Sequence, residues 1–175
     1  MAAFSFSVFC RRIIFMVLFA HVAFADAVSS AGNFSWPAAF LLGLLSHHLL
    51  DFIPHIDAAS IWTKKEKNAG IMPKTTAIFI AADVLLTLGL LIWCAFFLKI
   101  DWAILFWASL GAALPDLIVT GFPVFFPKMR DWQFVKKYEK FHYSLLNHLG
   151  FIDNWIFGIF STILIIGISF RLLLK

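Results

Sequence analysis

Residues 75–98 read TTAIFIAADVLLTLGLLIWCAFFL, an unbroken run whose one charged side chain is Asp83. About 20 helical residues cross the roughly 30 Å hydrocarbon core of a bilayer, so this stretch is long enough to span it. Working outward, four more apolar segments cover residues 13–30, 36–52, 102–122 and 152–174. Of the 175 residues, 62% are hydrophobic and 14% charged, with 22 Phe and 7 Trp, and mean hydropathy is +0.90. Soluble domains are nearer half apolar and a quarter charged, and no small soluble domain has the interior to hide so much apolar side chain. Lipid is the solvent for most of this chain. That excludes a cytosolic enzyme, a disordered tail and a nucleic-acid-binding domain. The expected fold is all-α: a single integral membrane domain over 1–175, a multi-pass bundle of about five membrane helices. The segments at 13–30 and 36–52 are short and carry polar residues, so they are expected inside the bundle rather than against lipid.

Prolines punctuate the segments. Pro37 opens the second, Pro54 closes it, and Pro123 and Pro127 are expected to close the fourth. Near the start, Arg11-Arg12, an apolar run and Ala23-Phe24-Ala25 imitate a cleaved secretory signal. His21 interrupts that run and the next apolar segment follows at once, so retention as a first helix is expected. Cys10 and Cys94 are isolated and make neither a disulfide framework nor a thiolate metal site. The 127–150 region alternates Trp132, Phe134, Val135, Tyr138 and Phe141 with lysines, the pattern of an amphipathic interfacial helix.

Orientation follows from Lys and Arg. With five spans, the side of the N-terminus receives Arg11, Arg12, Lys64, Lys65, Lys67, Lys74, Lys128, Arg130, Lys136, Lys137 and Lys140, leaving Lys99, Arg171 and Lys175 for the other. The N-terminus is therefore expected in the cytoplasm and the C-terminus outside.

Ionisable groups at membrane depth mark function or paired contacts, and here they converge. His47 and Asp51 are four apart, one helical turn from each other on one face. Imidazole with carboxylate suits zinc, manganese or iron. Pro54 lets the chain turn so that His55 and Asp57 can come back over the same end. Asp116 follows Pro115, which frees a carbonyl near the cytoplasmic end of the fourth segment. Asp83 and His21 lie in the inner parts of their segments, and His142 and His148 follow the interfacial helix. The orientation count used only Lys and Arg, yet it sends this whole set to one side. The remaining polar residues have plainer readings. His48 points about 100° away from His47 and reads as an interfacial residue, Asp26 lies toward the opposite side, and Asp101 and Asp153 read as helix-start carboxylates.

The run Ser46-His47-x-x-Leu50-Asp51-x-x-Pro54-His55-x-Asp57, the later Gly111-Ala112-Ala113-Leu114-Pro115-Asp116 and Phe141-His142-Tyr143-Ser144 resemble the bacterial membrane-bound metal-dependent hydrolases. These small multi-pass inner-membrane proteins are grouped with the LexA-regulated inner-membrane hydrolases and, loosely, with zinc-dependent phospholipase C-like proteins. The resemblance covers most of the chain, and His21 would match a first-helix histidine. One motif departs: the usual His-Arg-x-x-Thr-His-Ser has no second histidine here in that spacing, so either His148 replaces it or a ligand is lost. The resemblance implies an inner-membrane hydrolase with a divalent metal, zinc foremost (manganese or iron otherwise), held by His21, His47, Asp51, His55, Asp116, His142 and His148. Asp83 or Asp57 would be the carboxylate that takes a proton. The depth of the site and the nearby lysines suit a phosphoester of a lipid or lipid-linked substrate. The alternative is a non-enzymatic membrane protein whose His and Asp residues bind metal structurally or pack helices.

Overall fold

The computed structural model describes residues 18–53, 74–147 and 155–175. His55, Asp57 and His148 lie outside the described residues, as do Pro54 and Asp153. Six helices carry the architecture, and all regular structure among the described residues is helical. They are α1 (Leu18–Ala31), α2 (Trp36–Asp51), α3 (Lys74–Phe96), α4 (Trp102–Asp116), α5 (Gln133–Asn147) and α6 (Trp155–Leu173).

Among the described residues, three stretches are long and apolar enough to cross a bilayer: Ala77–Phe96, Trp102–Val119 and Ile156–Leu173. The expectation of five spans is corrected to these three. The described α1 has 14 residues and α2 has 16. At 1.5 Å per residue they reach about 21 and 24 Å, short of a roughly 30 Å core.

The two short helices form a hairpin. Asn33 ends α1 in the left-handed region at φ 48°, a conformation that asparagine tolerates. Its N–H donates to the Ser30 carbonyl (3.1 Å), and the Phe34 N–H donates to the Ser29 carbonyl (3.3 Å). This pair of bonds satisfies carbonyls that a helix end leaves open. Ser35 then caps α2 in an extended conformation, with Pro37 in the first turn.

α1 is the central helix and packs against α2, α3, α4 and α6. Ala20, Ala23, Ala25 and Ala27 are all buried, and side chains this small let four neighbours approach. α2 is two-faced. Leu41, Leu45 and Leu49 recur every four residues and are exposed, whereas Ala39, Gly43, His47 and Asp51 recur every four residues and are buried. Along α3 and α6 the large side chains point outward: Ile78, Leu85, Phe160 and Ile163 are each more than 60% exposed. Such surfaces suit a lipid or protein neighbour rather than water.

The tightest junction is α2 on α4. A methyl at Gly43 would collide with the Ala108 carbonyl, and one at Gly111 with the Phe40 carbonyl. The two backbones touch through reciprocal glycines. Asp101 caps α4 by accepting from the Ala103 N–H at 2.8 Å, the helix-start role expected of it. α4 keeps Pro115 in its last turn and runs without a break into a π-helical turn, Leu117–Gly121, and a single α turn, Phe122–Phe125. Pro123 therefore does not close the segment, because it falls in the first turn of Phe122–Phe125, where no N–H is needed. The chain breaks at Phe126, before Pro127. A 3₁₀ turn, Pro127–Asp131, then leads to α5.

α5 docks against α2 and the π turn. Val135 and His142, two turns apart, are buried, while Phe134, Phe141, Lys136, Lys137 and Lys140 are exposed. This is the amphipathic helix expected from the sequence.

Candidate metal centre

The stripe that packs α2 on α4 continues into chemistry. From Gly43, one further turn of α2 brings His47 and the next brings Asp51. From Ala108 and Ala112, the next turn of α4 brings Asp116. The backbone contact at the glycines holds the two helices close enough for these side chains to meet. α1 adds His21, and α5 adds His142.

Asp51 is the hub. His47 Nε2 is 3.4 Å from its Oδ2, His142 Nδ1 3.3 Å, His48 Nδ1 3.7 Å, and His21 Nε2 is 3.8 Å from its Oδ1. Asp116 Oδ1 lies 3.8 Å from His47 Nε2 and 3.5 Å from His142 Nε2. The His21 and His47 rings stack with centroids 4.2 Å apart, and His47 and His142 stack at 5.4 Å. His21, His47, Asp51 and His142 are all at most 3% exposed. The Asp116 side chain is 30% exposed and forms the open edge of the cluster.

These gaps decide what the cluster can do. N–H···O hydrogen bonds measure about 2.7–3.2 Å, and each of the six gaps is longer. Two ligands of one tetrahedral ion, each bonded at 2.0–2.2 Å, are about 3.3–3.6 Å apart. Three of the six gaps, His142–Asp51 at 3.3 Å, His47–Asp51 at 3.4 Å and His142–Asp116 at 3.5 Å, fall in that range, and the other three, at 3.7–3.8 Å, are slightly longer. Both ring nitrogens of His47, completely buried, make no hydrogen bond, nor does His48 Nδ1, although buried polar atoms ordinarily find partners. Three sets could each hold a metal ion: His21, His47 and Asp51; His47, Asp116 and His142; and His48, Asp51 and His142. In each set the ligand atoms lie within 4.8 Å of one another.

The structure thus brings together His21, His47, Asp51, Asp116 and His142 from the expected set. Asp83 is elsewhere engaged: its two oxygens accept the backbone N–H groups of Leu18 (3.0 Å) and Phe19 (3.1 Å). His48, expected at the interface, instead joins the cluster. Its Nε2 is 3.1 Å from the Tyr138 hydroxyl, which fixes the ring from behind. Burial, with the negative fields of Asp51 and Asp116 added, pushes that hydroxyl up to about 12, so Tyr138 is a neutral phenol at any physiological pH. The signal for His48 was present: residues 47 and 48 stand four and three positions before Asp51, and both spacings face it. Asp26, on the far part of α1, is also fully buried and accepts from Ser109 Oγ at 3.2 and 3.3 Å.

No protein-family model, curated protein or solved structure matches the chain. The functional reading therefore rests on the cluster itself.

Proposed function

We propose that this protein is a metal-dependent hydrolase of the bacterial inner membrane, with its site at the cytoplasmic face, acting on a phosphoester of a lipid or lipid-linked substrate. The observation that carries the reading is a buried His/Asp cluster whose six N···O gaps of 3.3–3.8 Å exceed ordinary hydrogen-bond lengths, three of them, at 3.3–3.5 Å, matching two ligands on one ion. Zinc is the first candidate, because neutral imidazole with carboxylate at these spacings matches its preferred donors. Such an ion supplies Lewis acidity toward a phosphoryl oxygen and an acidified water. Asp51 and the imidazoles of His21, His47 and His142 do the holding. Asp116, the open member, is the carboxylate that water can reach, and in this reading it accepts the proton. Asp83 stabilises the start of α1 through two amides. The exposed Lys136, Lys137 and Lys140 of α5 attract an anionic headgroup toward the open edge. The resemblance of Ser46–Asp57 to the membrane-bound metal-dependent hydrolases points the same way.

A second reading, a structural ion or a polar helix joint, is favoured by one observation: His47 is completely buried. Detergent-purified protein decides between them. The metal content of the wild type and of Asp51→Ala is measured, and phosphodiester, phosphomonoester and native-lipid substrates are assayed with added Zn²⁺ or Mn²⁺. Hydrolysis by the wild type, abolished in His47→Ala and Asp116→Ala while both remain inserted and monodisperse, supports catalysis. Equal, substoichiometric metal in the wild type and Asp51→Ala rejects binding. Metal held without turnover favours the structural ion.

A further inference from the structure

The three sets of ligands overlap, and the way they overlap is informative. Any two of them share one residue: His47 joins the first to the second, His142 the second to the third, and Asp51 the first to the third. A neutral imidazole offers a single lone pair for coordination, since its other nitrogen carries a proton. It serves two ions only after losing both protons. A carboxylate has two oxygens and about four lone-pair positions, all available at neutral pH. Of the three ways to fill two sets at once, only the one sharing Asp51 asks nothing unusual of its ligands.

The surroundings of Asp51 agree. His21 faces its Oδ1, whereas Oδ2 is faced by His47 through Nε2 and by His48 and His142 through Nδ1. His47 stacks on His21 and His48 meets His142 edge to face, two pairs that His47 links by also stacking on His142 at 5.4 Å and meeting His48 edge to face at 5.5 Å. The outward nitrogens of the second pair are braced. His48 Nε2 meets the Tyr138 hydroxyl at 3.1 Å, and His142 Nε2 faces Asp116 Oδ1 at 3.5 Å. A histidine that binds metal through one nitrogen characteristically gives its other N–H to an oxygen, which fixes the ring and raises its basicity. Both histidines present Nδ1 inward and an oxygen partner outward.

We propose that the centre is dinuclear, with Asp51 bridging two divalent cations, one held with His21 and His47 and the other with His48 and His142. The proposal deepens the metal-dependent reading and rests on it. It adds His48 as a ligand, makes Tyr138 and Asp116 positioning residues for the second ion, and places the centre in the two-metal class that acts on phosphoesters by clamping both sides of the transferring phosphorus.

The full chain, purified in detergent, is loaded with Mn²⁺, and the bound metal per chain is measured together with the electron paramagnetic resonance spectrum. Two Mn²⁺ per wild-type chain with an exchange-coupled signal is the expected result. His48→Ala and His21→Ala should each drop to one ion and show an uncoupled spectrum, and Asp116→Asn should keep two. His48→Gln, which preserves bulk at this edge of the cluster, replaces the alanine variant if that variant misfolds and carries the same expectation. One Mn²⁺ per wild-type chain, or loss of an ion in Asp116→Asn, overturns the bridged pair while leaving the metal reading standing. No bound Mn²⁺ overturns both.

Discussion

A methyl group at residue 43 tests how closely the helix junction and the metal centre are linked. In Gly43→Ala the new carbon collides with the Ala108 carbonyl oxygen and sits 2.9 Å from the Ala112 backbone nitrogen. Backbone cannot swing aside as a flexible side chain would, so α2 and α4 must separate. Restoring an ordinary contact of about 3.5 Å to that nitrogen alone moves the helices about 0.6 Å apart. One turn further along α2, the 3.8 Å gap from His47 Nε2 to Asp116 Oδ1 crosses the same junction, and it widens to roughly 4.4 Å, well beyond the ~3.6 Å separation of two ligands on one tetrahedral ion. Overpacking of this kind costs about 1–3 kcal/mol of stability. Displacing Asp116 from the imidazoles it faces lowers metal affinity about 10–100-fold, the usual penalty for a lost orienting carboxylate. Thermal unfolding in detergent gives the first quantity, and chelator competition gives the second. Gly89→Ala on α3 is the control, since nothing lies within 4 Å of the new carbon. If Gly43→Ala melts and holds metal as the wild type does, the junction does not set the geometry of the site and the reasoning fails.

Three other expectations are independent of that one. Asp83→Ala should destabilise the protein by about 1–3 kcal/mol by leaving the Leu18 and Phe19 amides without their carboxylate; a variant that melts normally but loses turnover would make Asp83 catalytic instead. In metal-free Tyr143→Phe, Tyr138 is the last tyrosine, and its phenolate absorbance should rise with a midpoint near 12 rather than the usual value of about 10. Because the folded value is the higher one, the contribution of this hydroxyl to stability is complete below about pH 10 and fades as pH climbs through 12, so a midpoint near 10 would show that the ring is not packed on His48. A reporter fused after Lys175 should register outside the cytoplasm. An odd number of spans, three or five, puts the two ends on opposite sides, and a fluorescent fusion that matures there would refute the orientation.

Much of the centre was legible because helical spacing is strict. His47 and Asp51 must share a face at any depth, and the Lys and Arg distribution was enough to send Asp116 and His142 to the same end. The membership of His48 was not legible from its angle relative to His47 alone, since what matters is its reach to Asp51, three residues on. The number of spans was also misjudged. The burial of α1 is as expected from its polar residues, and Val22, Ala23, Ala25 and Ala27 are buried against other helices; what differs is length, since the described α1 and α2 have 14 and 16 residues and fall short of a bilayer core. The α2–α4 contact was hidden as well. Gly43 and Gly111 stand 68 positions apart, and nothing local announces that they meet.

The hairpin of α1 and α2 has a consequence in time. His21, His47 and Asp51 all belong to Leu18–Asp51, so the first ligand set is complete in the nascent chain long before the rest of the bundle is made. Both other sets wait for His142, which leaves the ribosome some ninety residues after Asp51. Synthesis runs from the N-terminus and early segments fold first. The first ligand set is thus the earliest point around which α4 and α5 can be gathered, and His142, the last of the cluster's histidines to emerge, is the one that closes it.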